Sequence, residues 1–211
     1  MSEQSLVEVP IEPERYEFFE DPAFALELDR RDFFRIVGGG LVVALFLRGL
    51  AAPAQRGGFG NQPDDIGAWL HVGEDGAVTV YTGKVEVGQN ARTSLTQAVA
   101  EELRTPVERI RLVMGDTQMV PYDGGTFGSG TTPRMAAQLR RVAAATRELL
   151  LDLAAEQGKV ERAALAVQDG KVVDSGTKKT FGFGELTKGK KLTKTIGQDV
   201  KTTPAGEWKV A

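Results

Sequence analysis

Beyond residue 65 the apolar positions fall into periods that predict an alternating series of strands and helices. Apolar runs at 68–72 and 77–81 flank Gly73-Glu74-Asp75-Gly76, whose Asp-Gly ending signals a hairpin. Over 93–103, Leu95, Ala98, Val99 and Leu103 recur on one helical face, and Pro106 lies just beyond the end. Ile110–Met114 reads as the next strand. A long helix is expected from Thr132 to about Glu156, with Leu139, Val142, Ala143, Thr146, Leu149, Leu150 and Leu153 as its buried stripe. A second hairpin is expected at 164–167 and 171–173, around Asp169-Gly170. Residues 176–211 are rich in Gly and Lys and only weakly patterned. The mixture predicts an α+β module over 66–175, in which 77–114 suggests a split βαβ unit.

The first part of the chain is patterned differently. Residues 1–29 are acidic and irregular, with Pro10, Pro13 and Pro22. Arg30-Arg31 precedes the apolar stretch from Ile36 to Leu47, and Leu50-Ala51-Ala52-Pro53-Ala54 supplies small residues in an A-x-A arrangement. An arginine pair, an apolar region of about a dozen residues and an A-x-A site match a twin-arginine export signal. The apolar run is shorter than the ~20 residues of a membrane-spanning helix. The segment 1–54 is therefore expected to be a helical or disordered export signal behind an acidic extension. It would direct the chain to the periplasm, with membrane association if it stays uncleaved. Residues 55–65, with Gly57, Gly58, Gly60 and Pro63, form the linker, and 176–211 a tail leading toward further domains. An amphipathic start to the folded domain is the alternative for the apolar run.

Composition narrows the chemistry. The chain has 211 residues, a formal charge of −3, one histidine and no cysteine. No disulfide, thiolate zinc site or iron–sulfur cluster can be built from it, and His71 alone supports no histidine-based metal site or triad. No catalytic or metal-ligating residue is assigned, so any metal would arrive inside a cofactor. The mild acidity gives no reason to expect nucleic acid. Lys178, Lys179, Lys188, Lys190, Lys191 and Lys194 read as a solvated face, and His71 as a structural residue in its strand. Arg134, Arg140, Arg141 and Arg147 lie on the long helix. Most are expected to be solvated, with Arg134 near enough to the helix start to reach a phosphate.

Two glycine-bearing turns carry the remaining signal. Gly83-Lys84-Val85-Glu86-Val87-Gly88-Gln89 runs from a strand into the 93–103 helix, and Gly125-Thr126-Phe127-Gly128-Ser129-Gly130-Thr131-Thr132 runs into the long helix. Such turns leave backbone N–H groups at a helix N-terminus, where an anionic, phosphate-bearing ligand is favoured. Gly88 permits close approach, and the Gln89 amide both donates and accepts, as a pterin edge requires. Asn90 or Thr93 is expected to cap the following helix. The second loop lacks the lysine of a P-loop, and no dinucleotide fingerprint follows a strand. Gly115-Asp116-Thr117 reads as an Asp-mediated turn closing a strand.

These two loops, with Ala98-Val99-Ala100-Glu101-Glu102-Leu103, Pro106 and Gly115-Asp116-Thr117 between them, resemble the molybdopterin-binding subunit of the xanthine dehydrogenase and aldehyde oxidase family. Within that family the chain is most similar to the isoquinoline 1-oxidoreductase beta-subunit-like branch, and to the N-terminal portion only, over roughly 66–173. The resemblance implies the N-terminal part of a molybdenum hydroxylase domain of α+β fold. The implied cofactor is molybdopterin, in bacterial members often the cytosine dinucleotide form. The implied activity is hydroxylation of N-heterocycles or oxidation of aldehydes with water-derived oxygen. By position, Gly88 and Gln89 match the first cofactor-contacting loop, and Thr126, Gly128, Ser129, Gly130 and Thr131 the second. Asn90 stands where the family usually has a glycine. The resemblance gives Glu86 a structural role and places the catalytic glutamate far along a longer subunit. It thus implies an incomplete subunit whose partners are a second chain carrying the rest of the domain, an iron–sulfur subunit or cytochrome, and a small-molecule substrate. A non-catalytic exported relic or interaction module, keeping the fold without the cofactor, is the alternative.

Overall fold

The computed structural model describes residues 38–47, 65–196 and 199–209. In chain order its elements are β1 (Gly40–Leu47), β2 (Asp65–Gly73), β3 (Val78–Thr82), α1 (Ala91–Leu103), β4 (Ile110–Met114), α2 (Thr131–Gly158), β5 (Leu165–Gln168), β6 (Lys171–Asp174), β7 (Thr180–Gly182), α3 (Phe183–Thr187) and β8 (Lys191–Ile196). Strands β4-β3-β2-β1-β8 make one sheet and β5-β6-β7 another. The mixed architecture agrees with the expected α+β class.

Alternation along β2 and β3 sorts their side chains between two faces. Ala68, Leu70, Val72, Val78 and Val80 enter the main core, where α1 and α2 cover the large sheet. Trp69 and Tyr81 are directly paired across the strands and stack on the opposite face, with ring centroids 3.8 Å apart. Val42, Ala44 and Val120 complete this smaller cluster. Its low dielectric raises the Tyr81 phenol above the ordinary value, because burial disfavours the phenolate. The connection from β2 to β3 closes as expected, with Asp75 Oδ1 accepting from the Ala77 amide at 2.9 Å.

The unit β3–α1–β4 departs from the split form expected for 77–114. Its two strands are parallel and adjacent, so no other strand lies between them. Leu95, Val99 and Leu103 of α1 are fully buried, and the helix stops at Arg104, which takes a left-handed φ of 52°. In α2 the stripe runs through Met135, Leu139, Val142, Ala143, Thr146, Leu150 and Ala154, whereas Leu149 and Leu153 are only partly buried.

The largest difference from the sequence reading concerns the apolar run. The stretch expected to form a helical or disordered export segment contributes β1, placed between β2 and β8. It is antiparallel to β2 and parallel to β8. Leu41, Val43 and Leu45 face the main core, and Val42 and Ala44 the smaller one. A strand buried on both faces is a continuous apolar run, which periodicity cannot distinguish from a signal region. Gly40 is fitted to this place, since a Cβ there would lie 2.2 Å from the Val72 carbonyl oxygen. Arg30, Arg31, the small-residue site at Ala52–Ala54 and most of the linker lie outside the described residues.

The weakly patterned 176–211 stretch also folds. It supplies β7, α3 and the edge strand β8, whose Leu192 and Ile196 rest on the main core while Lys191 and Lys194 stay exposed. The segment around Thr203 is held by polar contacts to α1 and α2. Glu102 is fully buried; its carboxylate accepts from the Thr203 amide at 2.9 Å and from Arg140 Nε at 2.9 Å, while its backbone carbonyl accepts from Arg147 Nη1 at 2.7 Å. The Arg140 guanidinium also lies 4.6 Å from the centre of the Trp208 ring. Arg140 and Arg147 are thus internal partners of a buried carboxylate rather than the solvated charges the helix pattern suggests.

Candidate functional site

Both glycine-bearing loops lie at the end of the helix pair where α1 and α2 begin. Ser94 and Thr132, near the starts of the two helices, have hydroxyl oxygens 3.1 Å apart. The loops meet at Lys84. This side chain is buried, and its ammonium donates to Asp123 Oδ1 at 2.6 Å and to the Gly125 carbonyl at 2.6 Å, with Thr126 Oγ1 at 3.5 Å. Asp123 Oδ1 also accepts from the Gly125 amide at 2.9 Å. Gly83 lets the strands of chain come this close, since a Cβ there would sit 2.4 Å from the Pro121 carbonyl oxygen. Lys84 does not stand out in the sequence, because a lysine in a turn is ordinarily solvated. Its position directly behind Gly83 was the available signal.

The first loop satisfies its own amides. Glu86 Oε1 accepts from Gly88 N at 2.7 Å and Asn90 N at 3.1 Å, and Oε2 accepts from Arg92 N at 2.8 Å. The Arg92 amide, seconded by those of Gly88 and Asn90, holds the Glu86 carboxyl below its ordinary value. Gln89 folds back in the same way. Its Oε1 accepts from Val87 N at 2.7 Å and its Nε2 donates to the Val85 carbonyl at 2.9 Å. The cap expected from Asn90 or Thr93 is therefore supplied by Glu86; Asn90 instead takes a left-handed φ of 61° and makes no side-chain cap. Open space lies over Gly88, where a Cβ would meet no atom within 4 Å.

The second loop is built differently. Gly128 and Ser129 take successive left-handed φ values of 57° and 54°. The Gly130 amide donates to the Phe127 carbonyl at 3.2 Å, and α2 starts at Thr131 with no side-chain cap. Thr126 and Thr131 share a hydrogen bond of 2.5 Å. The Arg134 side chain folds back over Gly130, so that a Cβ there would lie 2.9 Å from Arg134 Nε. Nothing lies within 4 Å of a Cβ built on Gly128. This arrangement offers the first-turn amides of a long helix, several hydroxyls and one guanidinium to an anion.

The seven residues singled out in the sequence are therefore gathered at one end of the molecule, in different conditions. Gly88 leaves its surroundings open, Gln89 is engaged within its own loop, Thr126 and Thr131 are paired, and Gly128, Ser129 and Gly130 shape the turn. Around them Val85, Val87, Tyr122 and Phe127 are 54%, 83%, 68% and 58% exposed, an apolar rim on an otherwise polar site. His71 lies in the sheet, its Nε2 3.0 Å from the Gly39 carbonyl oxygen, and takes no part in the site. Asp116 closes β4 with a turn, accepting from Gln118 N at 2.9 Å.

Residues 20–210 match the family model described as a molybdopterin cofactor-binding domain. This chain belongs to that family. One nicotinate dehydrogenase subunit, from Pseudomonas putida, is 36% identical over 135 residues, covering 64% of this chain and 11% of the relative. The beta subunit of isoquinoline 1-oxidoreductase from Brevundimonas diminuta is 30% identical over 173 residues, covering 76% of this chain and 22% of the relative. Among solved structures, reconstituted CO dehydrogenase from Oligotropha carboxidovorans aligns with a TM-score of 0.50 at 27% identity, over 56% of this chain and 15% of that one. The chain thus spans from about a tenth to a fifth of the length of these relatives. As a molybdopterin cofactor-binding domain, it carries a donor set that suits the group. Hydroxyls, uncapped helix amides and Arg134 are available to phosphate, with open space over Gly88 and Gly128 for a planar ring system.

Proposed function

We propose that this domain forms one wall of the cofactor site in a molybdenum hydroxylase acting on N-heterocycles or aldehydes. The observation that carries this reading is the convergence of both family loops at the common N-terminal end of α1 and α2, joined by Lys84. When bound, molybdopterin supplies the redox-active metal that inserts water-derived oxygen. The second loop holds its phosphate through the amides and hydroxyls of Ser129 and Thr131, with Gly130 shaping the turn between them and Arg134 alongside. Gly88 admits the ring system, and the Gln89 amide would meet its edge by exchanging its contacts with Val87 N and the Val85 carbonyl for contacts with the pterin. A cytosine dinucleotide extension of the pterin is part of the proposal.

The proton acceptor lies elsewhere in the assembly. Glu86 is tied to three amides and held below the ordinary carboxylate range, which makes it a weak base. The apolar rim of Val85, Val87, Tyr122 and Phe127 is covered by polypeptide carrying the rest of the domain, in a second chain. Electrons leave through an iron–sulfur subunit or a cytochrome. Relatives designated as subunits support this division of labour. Export of the folded chain to the periplasm is also proposed, on Arg30-Arg31 ahead of the apolar run. Because that run supplies β1, it is retained in the folded protein after export.

A second reading is favoured by one observation. Glu86 and Gln89 engage the amides and a carbonyl of their own loop, as in a relic or interaction module that keeps the fold alone. Purification of the tagged chain from its native host, with molybdenum and pterin assays and identification of co-purifying chains, separates the two. Molybdenum with a larger partner is expected; a metal-free chain alone supports the second reading. In the assembled complex Gly88→Phe is expected to abolish cofactor retention, and unchanged molybdenum content would sink the assignment of the first loop.

A further inference from the structure

From the buried contacts of Lys84 we infer that this residue is the positioning residue that sets the two cofactor loops against each other. The inference rests on the reading above. Lys84 leaves β3 at the root of the first loop, yet the acceptors around its ammonium lie in the second loop or just ahead of it: the Gly125 carbonyl and Thr126 Oγ1 within it, and Asp123 Oδ1 two positions before Gly125. Its side chain is 10% exposed and that of Asp123 13%, so water screens the pair little. Lys84 can only donate. Thr126 Oγ1 in turn lies 2.5 Å from Thr131 Oγ1, so the ammonium is linked through this hydroxyl pair to the first residue of α2. One buried cation thereby fixes the separation of the two loops at the start of α2.

Hydrogen exchange on the full chain, with the pterin content of the same protein from its native host, tests this. In Lys84→Met, exchange of the 123–131 amides is expected to rise on the order of tenfold, with the interiors of α1 and α2 unchanged. Pterin per protein is expected to fall by about tenfold, the scale of a lost charge-assisted hydrogen bond. A double variant, Lys84→Met with Asp123→Leu, removes both charges and restores the global unfolding midpoint, while loop exchange and pterin loss persist. Unchanged exchange over 123–131 in the single variant would overturn the inference. So would full recovery of pterin in the double variant, since Lys84 would then only neutralise Asp123. A wild-type chain that holds no pterin overturns the cofactor reading instead, and the exchange measurement still decides whether Lys84 sets the loops.

Discussion

Lys84 Nζ and Asp123 Oδ1 lie 2.6 Å apart across 39 positions of sequence, and this ion pair joins the two loop regions. Truncating one partner strands the other in a water-poor site. Asp123→Ala is expected to destabilise the domain by roughly 3 kcal/mol, read as a lower urea midpoint at unchanged slope. A midpoint within error of wild type would show that the pair is freely solvated in solution.

Glu86 gives the first loop a pH dependence. Its carboxyl is held below the ordinary 4.5 by the Arg92 amide first and by those of Gly88 and Asn90 after it. A depressed carboxylate contributes its stabilisation fully above the unfolded value and loses it as pH falls through the folded one. The Gly88, Asn90 and Arg92 amide resonances are therefore expected to hold steady above 4.5 and to shift together at lower pH. In Glu86→Gln that transition should vanish. Independent titration of the three amides would contradict a shared acceptor.

The carboxylate of Glu102 is the hub that pins the 199–209 segment. Its removal leaves Arg140 and the Thr203 amide without their buried acceptor, at a cost of about 3–5 kcal/mol. Glu102→Ala is expected to expose the segment, so that trypsin cuts after Lys201 much faster than in wild type. Equal cleavage rates would mean that the contacts to Trp208 and Lys209 hold it alone.

Retention of β1 is testable without reference to any cofactor. Val43 is fully buried, and Val43→Asp places an unpaired charge in the main core, costing several kcal/mol. Thermal unfolding of the full chain is expected to drop by more than ten degrees, on the order of that loss. A removable export segment would leave the melting temperature unchanged. Intact mass of the exported protein should likewise show a start upstream of Gly40.

Local signals settled much of this protein from the sequence by itself. The Asp75-Gly76 and Asp169-Gly170 turns, the stripe of α1 and the length of α2 depend on neighbours a few positions away, and periodicity reports such neighbours directly. The two glycine turns were legible for the same reason, and with them the family. Tertiary structure alone decided what required distant partners. Whether the apolar run at 40–47 forms a strand depends on β2 and β8, which are remote in sequence. Whether Arg140 is solvated depends on Glu102, and whether Lys84 faces water depends on Asp123. A charge or an apolar run has no fixed meaning in one dimension, because its environment is assembled only when the chain folds.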